Sequence, residues 1–368
     1  MKKKILFINM TKGYGGGEVY LEKIINFSEE RFNYLEKIII SPENRLLKNL
    51  NKEVKIYKGV RKKGGIKNIF NYITYIIQIF KITKIIKKEK IDIIFFNGIE
   101  AAYLMPFLPK VKNRIAIWHI NNINKNIILR KIFKKILLEI NSFIIITKEQ
   151  EKNIENEFGL KYKRNLKLIY NGINENEFKF KKIKKNKKII IAQISRLEKH
   201  KGIAELIKAF NNLLKKEKVL ELELLIAGEG NEKEKLSELI KELELENKIK
   251  LVGFVKTKEF LSKVDILVLN SYAEALPLIL LEGLSSGVPI IATNVDGNKE
   301  IIINNYNGFL IKAGDLKKLE ELLYKLINDF ELREKFSING RNILLDKFRE
   351  SEMCRKTYRL FEKFDSIN

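Results

Sequence analysis

A single cysteine, Cys354, and two histidines, His119 and His200, stand in a chain of 368 residues. That scarcity excludes a disulfide framework and any zinc site built from cysteine and histidine, and it fits a reducing compartment. Long apolar runs are missing too. No stretch approaches the ~18 uninterrupted apolar residues of a spanning helix, so the expectation is a cytoplasmic chain, soluble or peripheral at the inner face of a membrane. The start, MKKKILFINMTKGYG, imitates a secretory signal, yet its apolar run is broken by Asn9 and stops at Met10, so it reads as a first strand. None of the seven aspartates is followed two positions later by another, so an Asp-x-Asp metal pair is absent. Tryptophan occurs once, at Trp118, and no nucleic-acid reader motif appears, so no nucleic-acid partner is expected.

What abounds is lysine, and it is unevenly spread. The whole net charge of +25 falls in residues 1–190, while residues 191–368 balance. A basic first half implies attraction to an anionic surface, either a cytoplasmic leaflet or nucleic acid, or else a solvated lysine-rich face. At this length, with 45% hydrophobic residues, one core is exceeded and two domains are expected.

Short apolar runs alternate with helical stretches. They are KILFIN, KIIIS, DIIFFN, RIAIWH and SFIIIT, then KIIIAQIS, LELLIAGEG, KIKLVGF, DILVLNS and VPIIATN. This pattern predicts an α/β chain of two doubly wound, Rossmann-like parallel-sheet domains, with ligands at the C-terminal strand ends. Residues 1–173 form the expected first domain, the polar stretch NENEFKFKKIKKNKK a linker at 174–187, and residues 188–343 the second domain. Residues 344–368 read as a charged helical segment.

The segment SYAEALPLILLEGLSSGVPIIAT carries the sharpest chemistry. Glu274 opens a loop, and Glu282 falls inside a nearly all-apolar helix, where a buried carboxylate demands a polar partner. Pro277 suits a first helical turn and Gly287 a helix end, so the amides of that helix start close after Glu274. An anion site flanked by two hydroxyl acceptors suits a sugar attached to a diphosphate. Arg196 and Lys201 lie on another strand-to-helix loop. Arginine offers a planar fork and lysine a mobile point charge, so the two read as a diphosphate clamp or as an exposed pair. Gly15, Gly16 and Gly17 in GYGGGE open the first helix without the ending of a P-loop, and either let backbone approach phosphate or simply turn the chain.

Two glutamates separated by seven residues, followed by GVPIIAT, resemble the retaining glycosyltransferases of family GT4. IIIAQISRLEKHKGIAELIKAF resembles the family's strand, Arg-Leu, Lys-Gly and helix signature, and LIYNGIN its interdomain hinge. LLIAGEG, IKLVGFV, GYGGGE and IAIWH match further strand ends, in order, from about residue 5 to residue 312. The resemblance implies a GT-B fold, with two domains facing a cleft and the C-terminal segment packing back on the first. It implies sugar transfer from a nucleoside-diphosphate donor to a glycan or lipid-linked glycan, with retention, in cell-surface polysaccharide assembly. In that scheme Arg196 and Lys201 neutralise the leaving diphosphate, so neither metal nor cofactor is required. Glu274 accepts from a sugar hydroxyl and Glu282 from the ribose hydroxyls. Ala275, Leu276, Pro277 and Leu278 line the donor, Gly253 approaches the base, and His119 contacts the donor sugar. Gly15 to Gly17 border the acceptor and the diphosphate. Ala275 stands where the family often has glycine, so a positive φ there would bring strain.

Two helices draw a membrane reading beside an ordinary one. NKNIILRKIFKKILLEI sets Arg130, Lys131, Lys134 and Lys135 opposite an apolar face, for an anionic membrane surface or for its own domain. NIFNYITYIIQIFKIT draws the same two readings, with the core favoured. The rival functions are a nucleotide-sugar enzyme without transfer, such as an epimerase, and a basic nucleic-acid-binding module.

Overall fold

The apolar runs form two all-parallel sheets. The first holds β1 (Lys3–Asn9), β2 (Leu35–Ser41), β3 (Lys55–Lys58), β4 (Ile93–Asn97), β5 (Asn113–Trp118), β6 (Ser142–Ile145) and β7 (Leu166–Leu168), in the order β3-β2-β1-β4-β5-β6-β7. The second holds β8 (Lys188–Ile194), β9 (Glu221–Ala227), β10 (Ile249–Gly253), β11 (Ile266–Leu269), β12 (Ile290–Thr293) and β13 (Phe309–Ile311), in the order β10-β9-β8-β11-β12-β13. Both orders reverse direction beside the first strand of their sheet, as in doubly wound folds. Central strands such as β4, β6, β11 and β12 are buried along their whole length, whereas the edge strand β3 is largely exposed. Continuous Ile, Val and Phe runs are what a sheet covered on both faces requires. This computed structural model describes residues 2–60, 69–120, 126–185, 187–216 and 221–362, the side chains of residues 31 and 69–72 excepted.

The chain divides into two units, Met1–Asn171 with Ser351–Asn368, and Gly172–Glu350. Each unit has its own apolar cluster. The boundaries differ from those the polar stretches suggest. Residues 174–185 belong to the second unit, because two phenylalanines anchor them: Phe178 is buried, and Phe180 lies where a side chain on Gly287 would collide with its ring. Lys181 ties the same stretch down, donating from its backbone to Ser286 O at 2.9 Å and from Nζ to Asp265 Oδ1 at 2.9 Å. Residues 344–350 also stay with the second unit, where Leu344 and Phe348 are buried. The chain rejoins the first unit in helix Glu350–Glu362, whose Tyr358, Phe361 and Cys354 are buried there.

Candidate functional site

In the second unit the order reverses between β8 and β11, and the loops leaving those two strands are locked together. Gly202 adopts φ +63°, a left-handed conformation that only glycine takes without cost. A Cβ there would fall 2.1 Å from Asn270 O. The Asn270 amide donates to Gly202 O at 2.8 Å, and Tyr272 N donates to His200 O at 2.8 Å. This register carries Lys201 to Glu274, with Nζ donating to Oε1 at 2.7 Å from side chains only 10% and 14% exposed. Lysine and glutamate 73 residues apart thus compensate each other's desolvation.

Other expected residues take other places. Arg196 is exposed and pairs with Glu198, without joining Lys201 in the described contacts. Helix Leu278–Ser286 begins three residues later than Ala275, with Pro277 at its N-cap and Gly287 in the left-handed C-cap position at φ +74°. Glu282 is half-buried rather than buried, because its face of this short helix is not covered as Leu280, Leu281 and Leu284 are. Ala275 is not among the described non-glycine residues with positive φ, so no backbone strain marks it. Leu276 is buried, while Pro277 and Leu278 are half-buried. Gly253 ends β10 at φ +69°, followed by Phe254, which is 77% exposed.

Gly297, which no motif singles out, fixes the loop of Glu274 and Ala275 from the far side. A Cβ on it would lie 1.5 Å from Ala275 O, so the two backbones touch. Asn298 holds this approach by donating to Thr293 O at 3.0 Å, while Thr293 donates to Ser271 O at 2.5 Å. Proximity of this kind arises from packing between distant loops, and no spacing in the sequence announces it.

The first unit holds a second constellation, at the ends of β1, β4 and β5. Asn9 and Asn97 are register partners. Asn97 Nδ2 donates to Asn9 Oδ1 at 3.2 Å, and Asn97 Oδ1 meets His119 Nε2 at 2.8 Å. Because that oxygen only accepts, Nε2 carries the hydrogen and Nδ1 is left as an acceptor. Thr11 donates to Asn9 Oδ1 at 3.0 Å and also touches Glu18, whose other oxygen accepts from Gly15 N at 3.0 Å. The glycine loop is thereby tied to the histidine. Gly15 caps helix Gly16–Asn26, and a Cβ on Gly17 would stand 3.0 Å from the His119 ring. Tyr20 meets that ring edge-on at 5.4 Å. Desolvation lowers the imidazole from its ordinary 6.5 to about 4, so His119 is neutral at physiological pH.

The basic helix Ile127–Glu139 is anchored in its own unit. Phe133, Ile136 and Leu137 are buried, Arg130 pairs with Glu157 at 2.6 Å, and Lys135 pairs with Glu139 at 3.8 Å. Lys134 lies 5.6 Å from the centre of the Phe158 ring, and Lys131 is exposed. Ile127, Ile128 and Leu138 on the same helix stay exposed, so its own unit covers only part of its apolar surface.

Two doubly wound parallel sheets, each with polar residues gathered where its strand order reverses, define a GT-B fold. HepE of Anabaena, solved in complex with UDP, matches it with a TM-score of 0.79 and 17% identity, covering 98% of this chain and 100% of that one. The model for glycosyl transferases group 1 matches residues 174–343. Glycosyltransferase MJ1178 of Methanocaldococcus jannaschii is 30% identical over 271 residues, 70% of this chain and 71% of its own length. The chain belongs to the group 1 glycosyltransferases. The capsular polysaccharide biosynthesis glycosyltransferase CapM of Staphylococcus aureus is 28% identical over 193 residues, covering 52% of this chain and 50% of CapM. The chain spans about half the length of other curated relatives, 52% and 54% for two of them.

Proposed function

We propose that this protein transfers a sugar from a nucleoside diphosphate to a hydroxyl of a glycan or lipid-linked glycan, with retention, in the assembly of a cell-surface polysaccharide. The observation that carries the reading is the Lys201–Glu274 pair, held at 2.7 Å where the strand order reverses in the second unit. Bound diphosphate draws the Lys201 ammonium, and Glu274, released from it, accepts a hydrogen bond from a donor-sugar hydroxyl. Amides at the start of helix Leu278–Ser286 face the same anion. Glu282 takes the ribose hydroxyls, and Phe254 beside Gly253 offers an aromatic face to the base. His119, with Nε2–H committed to Asn97, can only accept through Nδ1, which suits a sugar hydroxyl and not proton donation. The departing phosphate then takes the acceptor proton on the face it leaves. Charge on the leaving group is balanced by protein cations in this scheme, so a metal is not required. The UDP complex of HepE favours a uridine donor, and CapM favours a surface glycan as product.

The test is thermal stabilisation of the parent, Lys201→Ala and Glu282→Gln by UDP, GDP and dTDP and by their sugars. A ligand at ~100 times its dissociation constant adds about 2.7 kcal/mol. One diphosphate series should raise the parent's midpoint and neither variant's. Sugar turnover should then require an added glycan acceptor. Turnover without any acceptor would instead assign an epimerase-type reaction, and stabilisation by RNA alone would end the nucleotide-sugar reading.

A further inference from the structure

Among the described residues, helix Ile69–Glu89 leaves one face uncovered from Ile73 onward. Gln78, Ile82, Ile85, Ile86 and Glu89 are buried on the opposite side. Outward stand Ile73 at 51%, Ile76 at 53%, Ile77 at 42% and Phe80 at 72% exposure. Their spacing of three, one and three residues puts them in one stripe. The last two turns add Lys81, Lys84, Lys87 and Lys88, all exposed. At 100° per residue these eight positions fall within an arc of about 140°, with the buried residues on the other side. One face of the helix is therefore apolar from Ile73 to Phe80 and cationic from Lys81 to Lys88.

We propose that this face docks on an anionic phospholipid bilayer, with Phe80 and the isoleucines at the acyl boundary and the four lysines on lipid phosphates. Lysine stems cover apolar surface while their heads reach a phosphate layer, so the mixed face suits an interface between hydrocarbon and charge. Four apolar side chains fall short of the ~800 Å² per partner of a standard protein interface. The charge agrees in sign, because the chain's net +25 lies wholly in residues 1–190, which contain this helix. The docking does not depend on which sugar is transferred, or on whether any is.

Binding to vesicles of equal parts phosphatidylglycerol and phosphatidylcholine, and to phosphatidylcholine alone, tests it by co-sedimentation. The parent should bind the acidic vesicles and not the neutral ones. Ile76→Ser with Phe80→Ser, and separately Lys84→Gln with Lys87→Gln and Lys88→Gln, should each lower apparent affinity by about tenfold or more. A matched triple of exposed lysines elsewhere in the first unit, Lys110→Gln with Lys112→Gln and Lys152→Gln, should change it far less. Circular dichroism of each variant checks that the fold is kept. Phe80→Trp, which adds an exposed indole to the buried Trp118, should shift its emission to the blue on acidic vesicles. Absence of binding to acidic vesicles overturns the proposal, as does binding unchanged in both helix variants or an equal loss in the matched triple. A dimeric parent made monomeric by Ile76→Ser with Phe80→Ser, with vesicle binding intact, would reassign the face to contact between copies.

Discussion

Lys201 and Glu274 share one hydrogen bond and little solvent, so each substitution has two separable effects. Lys201→Ala removes the cation and leaves a carboxylate that is 14% exposed without it, which should cost ~1–3 kcal/mol of stability and lower turnover by ~10–100-fold. Glu274→Gln keeps an oxygen for Lys201 Nζ, so denaturant midpoints should change little while turnover falls comparably. Equal losses of stability in both variants would make the pair structural. His119 gives a pH signature. Its imidazole titrates near 4 when folded and near the ordinary 6.5 when unfolded, so between those values only the unfolded chain takes up the proton. Stability should therefore fall as pH drops from about 6.5 to 4, by ~1–3 kcal/mol for a half-buried ring, and this contribution levels off below that. Denaturation at pH 7 and pH 4.5 should show a smaller pH dependence for His119→Gln than for the parent, which separates the imidazole from titrating carboxylates. Lys201 and Glu274 were legible in the sequence because strand-end loops of parallel sheets converge. The partners of His119 were not, since Asn9 and Asn97 meet only through the β1–β4 register, 88 residues apart.

At the scale of elements, the Lys201–Glu274 site depends on loops pressed backbone to backbone. Gly202→Ala meets both a positive φ and Asn270 O at 2.1 Å, whereas Gly297→Ala, at an ordinary φ of −69°, meets Ala275 O at 1.5 Å. Each should cost ~2 kcal/mol or more and weaken nucleotide binding together with stability. Gly13→Ala, with nothing within 4 Å of its Cβ, should be neutral in both measurements. A stable Gly297→Ala with unchanged nucleotide affinity would contradict the close approach. Strand positions were readable because a fully buried strand is a short apolar run. Burial on single helices was less so. The helix carrying Glu282 is nine residues long, and composition does not say which side its neighbours cover. The first half of helix Ile69–Glu89 is rich in apolar residues, which favours a core reading, yet the helix sends only one face, with Ile82, Ile85 and Ile86, into the first unit's apolar cluster. The stretch 174–185 misled in the opposite sense, since two phenylalanines outweigh its many lysines.

For the molecule as a whole, the first unit is discontinuous in sequence and the second is not. The first unit's sheet is finished by helix Glu350–Glu362. Tyr358 donates to Ile24 O at 2.9 Å, Thr357 meets the Tyr20 hydroxyl at 2.8 Å, and Leu360 O accepts from Asn113 at 3.0 Å. Phe361 lies 6.4 Å from Phe7 and 6.1 Å from Phe95 between ring centres, on strands β1 and β4. Deleting this helix would expose those strands, so a chain ending at Glu350 should aggregate or lose the first unit's near-ultraviolet signal from Trp118. Phe361→Ala is the milder probe, with an expected loss of ~3–5 kcal/mol. Because the two units have separate apolar clusters, calorimetry should show that loss in one transition, while a bound nucleotide raises the other. A single transition moved by both would mean that the units unfold together. Two transitions moved separately would mean that the second unit completes its fold on its own, and that the first unit waits for helix Glu350–Glu362.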